Sequence, residues 1–281
     1  MMDDFAIFIC TYGRPNNQLT LNMLRNSGYI GRIYLVLDDT DATIQQYIDN
    51  YGTNSIIIFD KNYYINSVET ISNNPKCACI IYAKNAVEDI AKQMKLKSFV
   101  IADDDVFSLR LRYVDSNALR SKRIICNMSD VIEEINNFLL DTNLCAVSPL
   151  YTTFFMDGVK SFESDRIESA RYMYIFVFRN SVYDVKWISD YAEDNITSFE
   201  QNKIGNCMLG IPFVQHDSTP PKKRIEGGMS ETYASNTFLL CMRGCTIEPA
   251  YMSAQWYKTK FVPKIQRKNS LPKIISGRYK K

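Results

Sequence analysis

The sequence predicts an α/β fold: a mixed, mostly parallel sheet flanked by helices, followed by a basic C-terminal extension. Three observations lead there. Through the first 110 residues, short apolar runs alternate with segments of helical period, the pattern of parallel strands joined by right-handed crossover helices. The apolar runs are nearly continuous, as strands buried on both faces require. Three of them end in polar clusters, "CTYGRP", "LDDTD" and "ADDDV", which a parallel arrangement brings to one edge.

Taken in order, "FAIFICTYG" reads as a buried strand ending in a turn. "NNQLTLNMLRNSG" reads as a helix with Leu19, Leu21, Met23 and Leu24 toward the core and Gly28 closing it. "RIYLVLDDTD" is a second strand, "ATIQQYIDNYG" a short helix stopped by Gly52, and "NSIIIFDK" a third strand. Within "CIIYAKNAVEDIAKQMKLK" a helix aligns Ala86, Ile90, Ala91 and Met94 on one face, and "SFVIADDDV" is the fourth strand. Beyond about residue 110 the alternation changes. "SDVIEEINNFLLDT" is a helix with Ser129 or Asp130 as N-cap. "LCAVSPLY" and "RYMYIFVFRN" are strands, the second antiparallel to its neighbours, and 219–232, "TPPKKRIEGGMSET", is a loop. The expected organisation is one catalytic domain over 1–250, with halves 1–110 and 111–250, and an extension over 251–281.

Of the 281 residues, 46% are hydrophobic and 23% charged, ordinary for a globular chain that buries a sizeable core. Apolar runs such as "MYIFVF" are far too short to span a bilayer, so no membrane partner is expected. The opening "MMDDFAIFIC" has acids where a signal peptide carries bases, and the eight cysteines are scattered. Reduced thiols in a cytoplasmic compartment are the expectation. The net charge of +2 conceals an asymmetry: residues 251–281 hold nine Lys or Arg and no acid, while the preceding 250 carry 24 basic and 31 acidic side chains. A basic segment can meet phosphates. Lys222, Lys223, Arg224, Lys258, Lys260, Lys264, Arg267 and Lys268 are the candidate nucleic-acid contacts, with a merely solvated tail as the plain alternative.

Chemistry is expected at the shared strand edge, where Thr11, Arg14, Asp38, Asp39 and the Asp103–Asp105 triplet fall. In extended chain Asp103 and Asp105 point one way and Asp104 the other. One or two such carboxylates suit Mg2+ or Mn2+, hard cations that keep room for substrate phosphates. An acidic cap or surface salt bridges to Arg110 and Arg112 are the structural alternatives. His216, the single histidine, follows the apolar run "MLGIPFV" and reads equally as a structural hydrogen-bonding residue or as a further metal ligand.

The ordered series "FICTYGRP", "YLVLDDTD", "YAKNAVEDIAKQMKLKSFVIADDDV" over residues 5–106 resembles the nucleotide-binding half of GT-A glycosyltransferases. The resemblance implies that Thr11 and Arg14 touch the nucleotide, and that Asp38 reads the base or ribose, with Asp39 beside it as a further donor-binding residue. It implies that Lys84 and Asn85 at a helix start face the diphosphate, and that Asp103, Asp104 and Asp105 form the acidic metal strand. Glu193-Asp194 resembles the acidic pair that supplies the base in inverting members, and His216 the C-terminal ligand that completes the metal shell. More narrowly, "FICTYGRP", "FVIADDDV", "AEDN" and "GGMSETY" resemble the TET-associated glycosyltransferases of phages and related viruses. That resemblance implies transfer of a sugar, glucose being the expected one, from a UDP-sugar to the hydroxymethyl group of a modified pyrimidine in DNA.

On this reading Asp105 and Asp103 hold the metal, with His216 as a third ligand, and Asp194, or Glu193 in its place, takes the proton of the attacking hydroxyl. Direct displacement with one base gives inversion. The Gly227-Gly228 loop is expected either to close over the donor or to be an ordinary surface loop. Competing readings are a glycosyltransferase acting on protein or glycan, a sugar nucleotidyltransferase, and an inactive nucleic-acid-binding module. The nucleotidyltransferase reading lacks its Gly-rich phosphate loop, since "TYGRPNNQ" holds only Gly13.

Overall fold

Every residue of the first apolar run is buried in β1 (Phe5–Cys10), and the alternation of its side chains divides the core in two. The computed structural model describes residues 4–68, 80–162, 176–187, 193–219, 252–257 and 260–265. On one face Phe5, Ile7 and Ile9 meet Met23 and Leu24 of α1 (Leu19–Asn26), Tyr47 of α2 (Ile44–Tyr51), and Met128, Ile132, Ile135 and Leu139 of α5 (Met128–Asp141). On the other, Ala6, Phe8 and Cys10 meet Ile81, Ala86, Val87 and Ala91 of α4 (Ile80–Gln93), with Trp187. Full burial of one large apolar side chain stabilises by about 1.5–3 kcal/mol, so the strand is held from both sides. Phe8→Ala would cost about 3–5 kcal/mol.

β1 pairs in parallel with β2 (Ile33–Asp38) and β4 (Ser98–Asp103), and β2 with β3 (Ile56–Phe59). Beyond β4 the sheet becomes mixed. β8 (Phe176–Asn180) is antiparallel to β4 and to β7 (Ala146–Tyr151), and β9 (Met208–Ser218) is parallel to β7. The hairpin of β5 (Val106–Asp115) and β6 (Ala118–Arg123) closes that side, giving the order β3-β2-β1-β4-β8-β7-β9-β5-β6. The expected mixed α/β sheet flanked by helices is therefore observed, with its parallel pairing concentrated in β3-β2-β1-β4. Two short segments complete the picture: α3 (Lys61–Ile65) and α6 (Glu193–Lys203).

Several expectations are corrected. The N-cap of α5 is Asn127, in left-handed conformation at φ 55 and without a side-chain cap bond. Ser129 sits inside the first turn, where its hydroxyl donates to the Gly28 carbonyl and accepts from the Ile30 amide, both at 3.1 Å. The segment after the acidic triplet is no helix cap but β5. The basic extension contains an antiparallel pair, β10 (Met252–Tyr257) with β11 (Lys260–Ile265). No helix among the described residues is long and apolar enough to cross a membrane.

Candidate active site

Parallel pairing sets the carboxyl ends of β1, β2 and β4 side by side: Cys10 is in register with both Val36 and Asp103. The acidic triplet turns the chain from β4 into β5, and a helix holds that turn. The hydroxyl of Thr20, fully buried in α1, donates to the Asp103 carbonyl at 2.5 Å and accepts from the Val106 amide at 2.9 Å. The Thr20 amide donates to the Asp104 carbonyl at 3.1 Å. A leucine at this position would fit the helix but lose all the side-chain bonds.

Asp104 points to the β1 turn. Its Oδ2 accepts from Thr11 at 2.7 Å and its Oδ1 from Arg14 Nη1 at 2.7 Å. Behind them the Arg14 amide donates to Tyr47 Oη (2.8 Å), which lies 2.9 Å from the Thr11 hydroxyl, while Gln18 Nε2 donates to that same hydroxyl at 2.8 Å. Burial pushes the Tyr47 phenol up to about 12, so it stays a donor. Gly13, at φ +66, makes this turn and donates its amide to Asp41 Oδ2 at 2.7 Å, a conformation that favours glycine. Burial raises Asp104 to about 6, opposed by the Arg14 charge and the Thr11 hydrogen bond. Thr11 and Arg14, expected at the nucleotide, thus bind Asp104 through the hydroxyl and through Nη1.

Asp103 faces the other side of the sheet. Its Oδ1 is shielded from solvent and makes no hydrogen bond among the described residues. Burial pushes this carboxyl up to about 8; the Lys84 charge opposes, and Asp105, Glu193 and Asp104 add to the rise. Lys84 is itself buried, its Nζ 3.2 Å from Glu193 Oε1 and 4.5 Å from the centroid of the Trp187 ring. Burial works against its charge, but Glu193, then Asp103 and Asp194, outweigh that and raise its pKa. A cation among three carboxylates is the local answer to the triplet's repulsion.

A model of the TET-associated glycosyltransferase family matches residues 5–214. The chain belongs to that family. This TET-associated glycosyltransferase is accordingly a sugar-transferring enzyme. No curated protein sequence matches it. Among solved structures it is similar to glucosyl-3-phosphoglycerate synthase from Mycobacterium tuberculosis in complex with Mg2+ and UDP, at 9% identity, covering 93% of this chain and 86% of that one, with TM-score 0.44. The same synthase with Mn2+, UDP-glucose and phosphoglyceric acid gives 11%, 94%, 90% and 0.44. A mannosyltransferase from Pyrobaculum calidifontis with GDP-mannose and Mn2+ gives 14%, 79%, 58% and 0.46.

The remaining expected site residues divide. Asp38 is buried and committed within the protein: Oδ1 accepts from the Thr40 amide and hydroxyl at 2.8 and 2.7 Å, and Oδ2 pairs with Lys61 Nζ at 3.1 Å. Asp39 is exposed at the same edge and accepts the Lys61 amide at 3.1 Å. Asn85 grips the Trp187 backbone through both ends of its amide, at 2.8 and 3.0 Å, which fixes the tryptophan over Lys84. Both ends of the amide expected to face a diphosphate are thus engaged within the protein. Glu193 and Asp194 open α6.

His216 is fully buried, its Nδ1 3.0 Å from the Pro149 carbonyl and its ring 5.4 Å from that of Tyr151. Among the described residues no group of three or more His, Cys, Asp and Glu is placed to hold a metal. The expected set of Asp103, Asp105 and His216 is thus not assembled; in the sheet His216 is in register with Leu109, well along β5 from the acidic turn. The two-carboxylate set does fit Mg2+ or Mn2+. It offers hard oxygens, one of them shielded and without a hydrogen bond, to a cation that takes one or two carboxylates and completes its shell with waters and phosphates. Lys222, Lys223, Arg224, Gly227, Gly228, Lys258, Arg267 and Lys268 lie outside the described residues, while Lys260 and Lys264 are backbone positions of β11.

Sequence reasoning missed Thr20, Tyr47 and Trp187. Thr20 interrupts the apolar pattern of α1 on its buried side, a readable signal. Tyr47 and Trp187 had none, since their partners lie 36 and 102 residues away.

Proposed function

We propose that the enzyme transfers a sugar, glucose in the first instance, from a UDP-sugar to the hydroxymethyl group of a modified pyrimidine in DNA, with inversion. The observation that carries this reading is Asp103 at the carboxyl edge of the sheet: a shielded carboxylate oxygen without a hydrogen bond, beside Asp105 and facing the Lys84–Glu193 pair, in a TET-associated glycosyltransferase. Asp103 and Asp105 would hold Mg2+ or Mn2+, which when bound supplies positive charge to the leaving diphosphate.

The chain's own residues divide the rest of the work. Asp39, exposed at the end of β2, contacts the nucleoside, a role that Asp38 is too committed to fill. Glu193 gives Oε1 to Lys84, and Asp194, beside it at the start of α6, acts as the general base for the acceptor hydroxyl. Lys84 holds Glu193 and Asp103 within one buried electrostatic unit and so orients both. Arg14, whose Nε is shielded and makes no hydrogen bond among the described residues, stays anchored to Asp104 at the donor edge.

The test is mass spectrometry of hydroxymethylated duplex DNA after incubation with a panel of UDP-sugars and Mn2+. The expected product is the modified base plus one hexose, formed by the wild type and absent with Asp194→Ala at unchanged circular dichroism. Full transfer by that variant sinks the base assignment. No product with any donor sinks the DNA acceptor.

A further inference from the structure

β5 starts at the residue after the acidic triplet and runs away from the active-site edge. Its first part, Val106–Leu111, is zipped to β9, but the stretch 112–115 pairs only with β6. The outer half of the hairpin is therefore a two-stranded ribbon, turned by Ser116 and Asn117, both with positive φ. Its charge is lopsided: residues 106–123 hold five basic side chains and one acid, Asp115, whose Oδ2 lies 3.8 Å from Arg120 Nε.

The two faces of the ribbon differ. On one, Arg112 donates to Gln215 Oε1 at 2.6 Å and stacks over Phe155 at 4.6 Å, while Leu119 packs with Leu150 and Phe155, so the 152–162 segment covers its inner part and leaves Val114 at the tip 46% exposed. On the other, the cross-strand pairs Leu111–Lys122 and Tyr113–Arg120 stand in the open, with Leu111 40% and Tyr113 47% exposed. No carboxylate among the described residues pairs with Lys122. Burial, and after it the neighbouring Arg110 charge, lower the Arg112 pKa against the pull of Asp217. Charged edge strands also discourage sheet-to-sheet pairing, but that accounts only for β6, and not for the exposed Tyr113 and Leu111 on the inner strand.

We propose that this open face, Leu111, Tyr113, Arg120 and Lys122, binds the phosphate backbone of a DNA duplex whose target base lies at the acidic turn. A two-stranded ribbon fits a DNA groove, and cations with interleaved apolar side chains suit the sugar–phosphate wall. At about 3.4 Å per residue the basic pairs lie up to ~27 Å along β5 from Asp105, or about eight base pairs along a duplex at ~3.4 Å each. The surface thus grips flanking DNA while the reacting base occupies the site. This inference rests on the DNA-acceptor reading above.

The experiment is fluorescence anisotropy of a hydroxymethylated 30-base-pair duplex against salt concentration, for the full-length wild type and Arg120→Ser/Lys122→Ser. Loss of two phosphate contacts should flatten the slope of log K against log salt by about 1.8 and so weaken binding about sixtyfold at 0.1 M salt relative to 1 M. The UDP-dependent thermal shift with Mn2+ should be unchanged. Tyr113→Ala should weaken binding a few-fold at an unaltered slope. If the wild type binds and transfers while the double variant shows the same slope and affinity, the ribbon is not the DNA surface and the acceptor reading survives. If the wild type neither retains DNA at low salt nor glycosylates it, the acceptor reading falls and takes the ribbon with it.

Discussion

Asp104 accepts through both oxygens, from Thr11 and Arg14, and its partners are themselves bonded to Tyr47 and Gln18. One residue earlier, Oδ1 of Asp103 is shielded and makes no hydrogen bond among the described residues, and the nearest compensation is the charge of Lys84. Strand alternation sends the two neighbours to opposite sides, and the protein treats the sides differently. Satisfied on both oxygens, Asp104 joins α1, α2 and the β1 turn into one rigid unit. Asp103 keeps electrostatic capacity unspent, which costs stability in the free protein and is retained where a ligand can use it.

The largest expected effect separates the two roles. Asp103→Asn should cut sugar transfer about a thousandfold, as loss of a charged group acting on the transition state does, without lowering the melting temperature, because it removes a carboxylate that burial already disfavours. Transfer kinetics and a thermal melt on one preparation check both halves. A large drop in melting temperature would mean that Asp103 is structural after all.

Asp104→Asn should show the reverse bias. The amide keeps its shape but deprives Arg14 of its charged acceptor, at a cost of about 2 kcal/mol, and slows transfer far less than Asp103→Asn. Urea unfolding measures the first quantity. If the two variants match in both stability and transfer, the contrast between the sides is broken.

How much of this was legible follows from the same physics. β1, β2 and β4 were readable because strands buried on both faces leave continuous apolar runs such as "FAIFIC" and "SFVIAD", and the edge strand β3 shows the same apolar run although Ile58 is exposed. The common edge then followed from topology alone. The β5–β6 hairpin carried its own period-two signal, Leu109–Arg110–Leu111–Arg112–Tyr113, which the acidic turn before it masks by suggesting a helix cap. What no local pattern could reveal is commitment. Asp38 looks free in "LDDTD" but is claimed by Lys61, and Asn85 looks like a ligand contact but holds the Trp187 backbone. Both partnerships are made by tertiary packing. His216 is the clearest case: its position after an apolar run fits a ligand and a core residue equally, and only the fold shows it fully buried, with Nδ1 against the Pro149 carbonyl, Nε2 shielded and without a hydrogen bond among the described residues, and the ring in register with Leu109 rather than with the acidic turn.

That outcome makes a third, smaller prediction. Burial holds the His216 imidazole neutral and lowers its pKa to about 4, against weaker opposing pulls from the Pro149 carbonyl and Asp217. The unfolded chain takes up this proton first, near pH 6.5, so protonation favours unfolding. The contribution to stability is present above pH 6.5 and is lost as pH falls toward 4. At pH 5.5 the loss amounts to about 1 kcal/mol, one pKa unit's worth. His216→Gln, which cannot titrate, should lose less stability than the wild type between pH 7 and 5.5, by that same difference. Urea midpoints at the two pH values measure it, and parallel pH profiles for the two proteins would show that the imidazole is not held neutral in the fold. The same variant tests the division of the site from the other side. A buried core histidine should leave the response of transfer rate to Mn2+ concentration unchanged, whereas a metal ligand would shift it to higher concentration.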